Sequence, residues 1–174
     1  MDRHPADIAG LTLIELLVVL AVIGLMLGLG LPAWGRLVAD ARMADAVASY
    51  HQAFNSARLI AVQRRRPVTV CPLGADNRCV ARWGARVDVF FDDDRDGQLA
   101  GEQDHLALFA AQELTDLVVQ WRGFGRRDRL TVNAEGHYRQ NGRFRFCMPG
   151  DARGRSLVIN AAGRVRTEAI SCSA

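Results

Sequence analysis

An α+β fold, one long amino-terminal helix followed by a head of short strands, is what this sequence predicts, and three observations predict it. From Leu11 to Leu31 a single charge, Glu15, interrupts an otherwise apolar run; at ~1.5 Å per residue such a run spans roughly the 30 Å hydrocarbon core of a bilayer. Beyond Trp34, apolar residues recur at spacings of three and four, at Leu37, Ala41, Ala44, Val47, Ala48, Phe54, Ala57 and Ile60 or Ala61. That is the period of an amphipathic helix. After residue 65 come short runs rich in strand formers, separated by turn residues, and helix first with strands after is an α+β order.

In chain order, residues 11–33 form a membrane-spanning segment and 34–65 an amphipathic continuation. Its carboxy-terminal half lies against a sheet, and its polar face carries Asp40, Arg42, Asp45 and Arg58. Pro32, with Gly24, Gly28, Gly30 and Gly35 around it, weakens the helix near the membrane exit, because proline removes a backbone hydrogen bond and each glycine costs about 1 kcal/mol against alanine. The head, residues 66–174, reads as strands at Val68–Cys71, Arg86–Phe91, Leu106–Ala110, Leu117–Trp121, Leu130–Asn133, Arg143–Cys147, Ser156–Ile159 and Arg164–Glu168. Alternation is clearest in "RVDVFFD" and "GRFRFC", where one face is apolar and the other charged. No internal repeat or low-complexity run is evident.

The 174 residues suffice for one domain and an appended segment. With 49% hydrophobic and 24% charged residues the balance is globular, although the amino-terminal run inflates the apolar share, and disorder is not the default reading. Every basic residue is arginine. Residues 1–120 hold 11 Arg against 15 acidic groups, a net −4, whereas residues 121–174 hold 11 against 4, a net +7. Such asymmetry points to an anionic partner for the carboxy-terminal part. Cys71, Cys79, Cys147 and Cys172 follow the apolar segment and lack zinc spacing, so disulfides in an oxidising compartment are expected. Three connectivities are possible, and the sequence-local one joins Cys71 to Cys79 and Cys147 to Cys172.

A carboxylate inside an apolar segment costs about 2.5–3.5 kcal/mol at a helix centre and less near an end, and is read as functional. The string "GLTLIELLVVLAVIGLMLGLGLP" resembles the amino terminus of type IV pilins and type II secretion pseudopilins: a short leader (residues 1–10), a glycine at the cut, then a helix with Glu as its fifth mature residue. The resemblance implies a pilin-like fold and a prepilin peptidase that cuts after Gly10 and methylates the amine of Leu11, where the family usually has Phe. It also implies assembly with other pilins in a filament, from a single-pass position in the inner membrane with the head in the periplasm or on the filament surface. Glu15 then has a physical reason: its carboxylate pairs with the terminal ammonium of a neighbouring subunit, so two costly charges offset one another only in register. A cleaved signal peptide, with a cut near Ala33, followed by a secreted or periplasmic calcium-binding domain, is the rival reading.

The head is similar, on shorter motifs, to the minor pseudopilin H and FimT group: "RRRPVTVCP", the Trp83–Gly84 pair, "VFFDDDRDGQLAGEQD" and "SLVINAAGRVR" followed by "ISC". Asp92, Asp94 and Asp96 alternate before Gly97 as in the opening of a calcium loop, but Gln103 stands where a bidentate Glu is needed. Glu102 or Asp104 could substitute in another geometry, and an acidic turn is the alternative; no other cofactor is expected. Among the carboxy-terminal arginines, which include Arg126, Arg127, Arg129, Arg139, Arg153 and Arg155, Arg143, Arg145, Arg164 and Arg166 are the candidates for gripping double-stranded DNA. "GRVR" resembles the GRxR element of FimT-type minor pilins, which implies DNA contact during natural transformation. Solvated arginines, or arginines paired with neighbouring subunits, are the alternative. His51, His105 and His137 are scattered and no nucleophile elbow, HExxH or P-loop occurs, so no enzyme is expected.

Overall fold

The computed structural model describes residues 12–84, 86–110 and 117–172; the side chains at 27, 29–33 and 36 are not described. Two compact units divide the chain, one ending at Asp40 and the other comprising Ala41–Ala174. Helix α1, Leu13–Arg64, is continuous through Pro32, so the weakening expected there does not end it. Thr12 starts it: its Oγ1 accepts the Glu15 N–H at 3.3 Å and its carbonyl accepts the Leu16 N–H at 3.2 Å. Thr12 and Glu15 stand at the positions of a capping box, where side chains satisfy the orphan donors of the first turn. At the other end Arg65 turns to φ 53° and Pro67 follows, which stops the helix.

In the first unit the apolar side chains stand exposed, from Leu13 at 78% through Leu20 at 56% to Met26 at 71%. Among the described residues no helix is long and apolar enough to cross a membrane. The membrane-spanning reading of residues 11–33 therefore rests on the sequence.

In the second unit α1 buries Met43, Ala46, Val47, Tyr50, Ala53, Phe54, Ala57 and Ala61. This corrects the expected stripe, since Leu37, Ala41 and Ala48 are exposed and Tyr50 belongs inside. Alanine marks either face, because its exposure costs little. Tyr50 can be buried because its hydroxyl donates to the Gly84 carbonyl at 2.8 Å, and burial raises its pKa well above the ordinary tyrosine value. Tyr138 does the same, donating to the Phe54 carbonyl at 2.6 Å.

The strands are β1 Val68–Cys71, β2 Arg86–Phe91, β3 His105–Ala110, β4 Val118–Gly123, β5 Leu130–Val132, β6 Gly142–Cys147, β7 Arg153–Ile159 and β8 Val165–Ser171. All eight expected strands are present, with ends shifted by up to three residues. They form two antiparallel four-stranded sheets, ordered β3-β2-β1-β5 and β4-β6-β7-β8. Phe144 of β6 lies at the centre of the core, its ring 4.7 Å from Trp83 and Trp121, 5.1 Å from Tyr50 and 5.4 Å from Phe54. Burying one such side chain contributes about 1.5–3 kcal/mol. Two disulfides, Cys71–Cys79 and Cys147–Cys172, realise the sequence-local connectivity.

Candidate functional site

Gly10 and Leu11, the expected processing residues, lie outside the described residues. Glu15 is exposed in the first turn of α1, where the helix dipole favours a carboxylate by about 0.3–1 kcal/mol. Its place three residues after Thr12 is a local structural role that the sequence reading missed, although "TLIE" shows it. A capping box takes a carboxyl or carboxamide at this position, while the bond present is from the Glu15 backbone N–H to Thr12 Oγ1; a charge requirement is a separate matter.

The acidic connection after β2 is a turn whose polar side is partly internal. Asp92 is buried, accepting from Thr69 Oγ1 at 2.6 Å and from the Gly97 N–H at 3.4 Å, and burial pushes its pKa above the usual carboxylate range. Asp93, outside, is held below that range by the Arg66 guanidinium, which donates to it. Oxygens of Asp92, Asp94 and Asp96 lie within 4.8 Å of one another. A calcium ion takes six to eight oxygens; this trio would supply a minority, and one oxygen of Asp92 is engaged by Thr69. Strand β2 precedes the loop and a 3₁₀ turn, Glu102–Asp104, follows it, so the helical flanks of a calcium hand are not present. Arg129 is 5% exposed and folds over this turn, bonding Asp128 at 3.1 Å and the Arg95 carbonyl at 3.0 Å. Counted with the basic surface on sequence, it is an internal cation of the acidic turn.

The outer face of the second sheet carries the arginines. Register places Arg122 opposite Arg143, Arg143 opposite Val158, and Val158 opposite Arg166, so one transverse row displays three guanidinium groups. In the next row Arg145 stands opposite Ser156 and Ser156 opposite Glu168. Arg145 donates to the Ser171 carbonyl at 2.9 Å, and Arg166 pairs with Glu168 at 3.0 Å. Like charges directly opposite are destabilising unless a counter-charge covers them. Arg122, absent from the expected set, is brought in by register alone. Arg164 stands apart from Arg166, in the turn before β8, so the strand spacing expected to align the two does not reach it.

Two turns of the head share one design, a repeat the sequence reading did not find. In "NAEGH" the Asn133 N–H donates to the His137 carbonyl, the Gly136 N–H to the Asn133 carbonyl, and the His137 N–H to Asn133 Oδ1. In "NAAGR" Asn160, Gly163 and Arg164 repeat each bond. Gly136 and Gly163 have φ 82° and 81°, a region that favours glycine. A Tyr138 N–H to Ala161 carbonyl bond of 3.0 Å joins the second turn to the residue after the first.

A protein-family model described as Type II transport protein GspH matches residues 46–163, more than half of the chain. The chain belongs to this family. No curated protein sequence matches it. Among solved structures, the type IV minor pilin FimU of Pseudomonas aeruginosa is similar with a TM-score of 0.60 at 21% identity, over 76% of this chain and 92% of FimU. The minor pseudopilin EpsH of Vibrio cholerae is similar with a TM-score of 0.52 at 13% identity, over 74% of this chain and 97% of EpsH. At these identities the likeness is one of fold: a helix packed on antiparallel sheets. The GspH-family match covers most of the buried part of α1, the first turn, the second turn up to Gly163, and strands β4, β6 and β7 of the second sheet.

Proposed function

We propose that this GspH-family chain is a minor filament subunit of a type II secretion pseudopilus or a type IV pilus, with a mechanical role and no catalysis. The observation that carries the reading is the stem, whose exposed apolar side chains from Leu13 to Met26 are accompanied by one charge, Glu15. Exposed apolar surface of this extent needs lipid or neighbouring helices to cover it. In this reading a prepilin peptidase cuts after Gly10 and the amine of Leu11 is methylated. The stem rests in the inner membrane with the head in the periplasm, and Glu15 pairs with a neighbour's terminal ammonium as subunits enter the filament. Glu15→Gln separates charge from capping, since Gln also serves in a capping box. Loss of filament incorporation in both Glu15→Gln and Glu15→Ala, with full-length protein in the membrane, is expected; incorporation of the Gln form at the parental level would refute the charge-pairing account. Sequencing the mature amino terminus tests processing: Leu11 is expected, and a start near Ala33 would instead mark a cleaved signal.

A second reading, double-stranded DNA binding, is favoured by the row of Arg122, Arg143 and Arg166, with Arg145 beside it and Arg164 at the adjacent turn. Such contacts are sequence-independent and weaken steeply with salt. A salt-titrated shift assay on the parent and on the Arg143→Gln/Arg166→Gln double variant tests it. The variant should lose affinity and show a shallower salt slope; equal binding by both would remove the reading. A calcium ion at Asp92, Asp94 and Asp96 is supported only by the convergence of their oxygens.

A further inference from the structure

We infer that the head carries a phosphate-binding cavity formed by Arg58 and His51 of α1 with Arg164 of the turn before β8. The cavity measures about 450 Å³ and is lined by His51, Asn55, Arg58, Asn160, Gly163 and Arg164 among others.

Arg58 is held in place by the paired turns. Its Nε donates to the Gly136 carbonyl at 3.1 Å. A Cβ at Gly163 would lie 2.6 Å from Arg58 Nε, and one at Gly136 would lie 3.2 Å from the same atom. Both glycines therefore make room for this side chain as well as for their own turns, and the guanidinium is anchored before any ligand arrives. The glycine of "GRVR" accommodates an arginine of α1; close approach of a ligand to the backbone is not needed to explain it.

His51 adds a donor to the lining. Asn55 Nδ2 lies 2.9 Å from His51 Nδ1, and an amide nitrogen only donates, so Nδ1 accepts and Nε2 carries the ring proton. Among the described residues, none of Arg58, His51 and Arg164 has a carboxylate partner. Two guanidinium groups and an imidazole N–H around a concave polar site, without an internal counter-charge, match the oxygens of a phosphate group, which guanidinium binds in bidentate fashion. The inference deepens the nucleic-acid reading by giving one phosphate of the backbone a seat; inorganic phosphate has the same chemistry.

The test uses ¹⁵N-labelled full-length protein in a maltoside detergent, which has no phosphate of its own. Inorganic phosphate is titrated at constant ionic strength while the arginine Nε–H signals are followed. Saturable shifts at Arg58 and Arg164 are expected, with affinity reduced on the order of tenfold in Arg164→Gln and in Arg58→Gln, and unchanged in the surface control Arg82→Gln. Arg164 contributes only its backbone to the turn, so that variant keeps the fold even where Arg58→Gln loosens it. Absence of saturable shifts in the parent, or parental affinity in Arg164→Gln, would overturn the inference. A duplex-DNA shift assay on the same proteins separates the two ideas. Phosphate binding without DNA retention keeps this cavity and removes the nucleic-acid reading. DNA retention without a phosphate response does the reverse.

Discussion

Removing the disulfides one at a time tests how the head is stabilised. The two bonds close loops with sequence separations of 8 and 25. On the chain-entropy relation these correspond to roughly 2.5 and 3.5 kcal/mol of stability, with a difference of about 1 kcal/mol. The Cys147–Cys172 bond joins the end of β6 to the residue after β8, clamping the free edge strand across β7. Gly154 makes the crossing possible, since a Cβ there would clash with Cys172 Sγ. Cys147→Ala/Cys172→Ala should therefore be the more costly double variant, lowering the melting midpoint by roughly 10–15 °C for a domain of this size. Thermal and urea unfolding followed by tryptophan fluorescence report the midpoint and the free energy, because Trp83 and Trp121 are both in the core. If Cys71→Ala/Cys79→Ala costs as much or more at equal m-values, constraint of the unfolded chain is not what these bonds supply, and local packing around the buried Cys71 must be the cause.

Gly163→Ala combines a left-handed backbone with Cβ contacts of 2.6 Å to Arg58 Nε and 2.7 Å to the Gly136 carbonyl, and should destabilise by about 2–4 kcal/mol. Gly136→Ala, whose nearest contact is Val62 Cγ2 at 3.0 Å, should cost less, and urea midpoints give the order. Because burial raises the Asp92 pKa in the folded state, its contribution to stability is largest below the unfolded value, about 3.9, and is lost as pH rises through the folded pKa. Relative to Asp92→Asn, the parent should lose stability as pH rises from the unfolded value through the raised folded pKa; parallel pH–stability curves would contradict this. A thermal shift with calcium chloride against a chelator tests the acidic turn: a rise in the parent that is absent in Asp94→Asn/Asp96→Asn would support an ion held by the converging oxygens, and an equal response in both would remove it.

Local patterns in the chain were sufficient to determine the long helix, the eight strands and the order of their elements. Strands such as "RVDVFF" and "GRFRFC" alternate with period two, and each short run is bounded by turn residues, so their existence is written in neighbouring residues. Their sheet partners are not. Alanine at 41, 44 and 48 left the buried face of α1 ambiguous, and only packing chose Met43, Tyr50 and Ala53. Arg129 read as surface charge, yet its place over the acidic turn depends on residues about thirty positions away.

What the sequence determined by itself is the chemistry of the stem: an apolar run bearing one acid is a one-dimensional property and survives any arrangement of the head. Only the tertiary structure decided which arginines are neighbours. Arg122 stands opposite Arg143 through strand register, and Arg58 and Arg164 line one cavity, where two glycine turns leave room for Arg58. Convergence of like charges from distant segments is set by backbone pairing and sterics, and nothing in the spacing of residues along the chain encodes it.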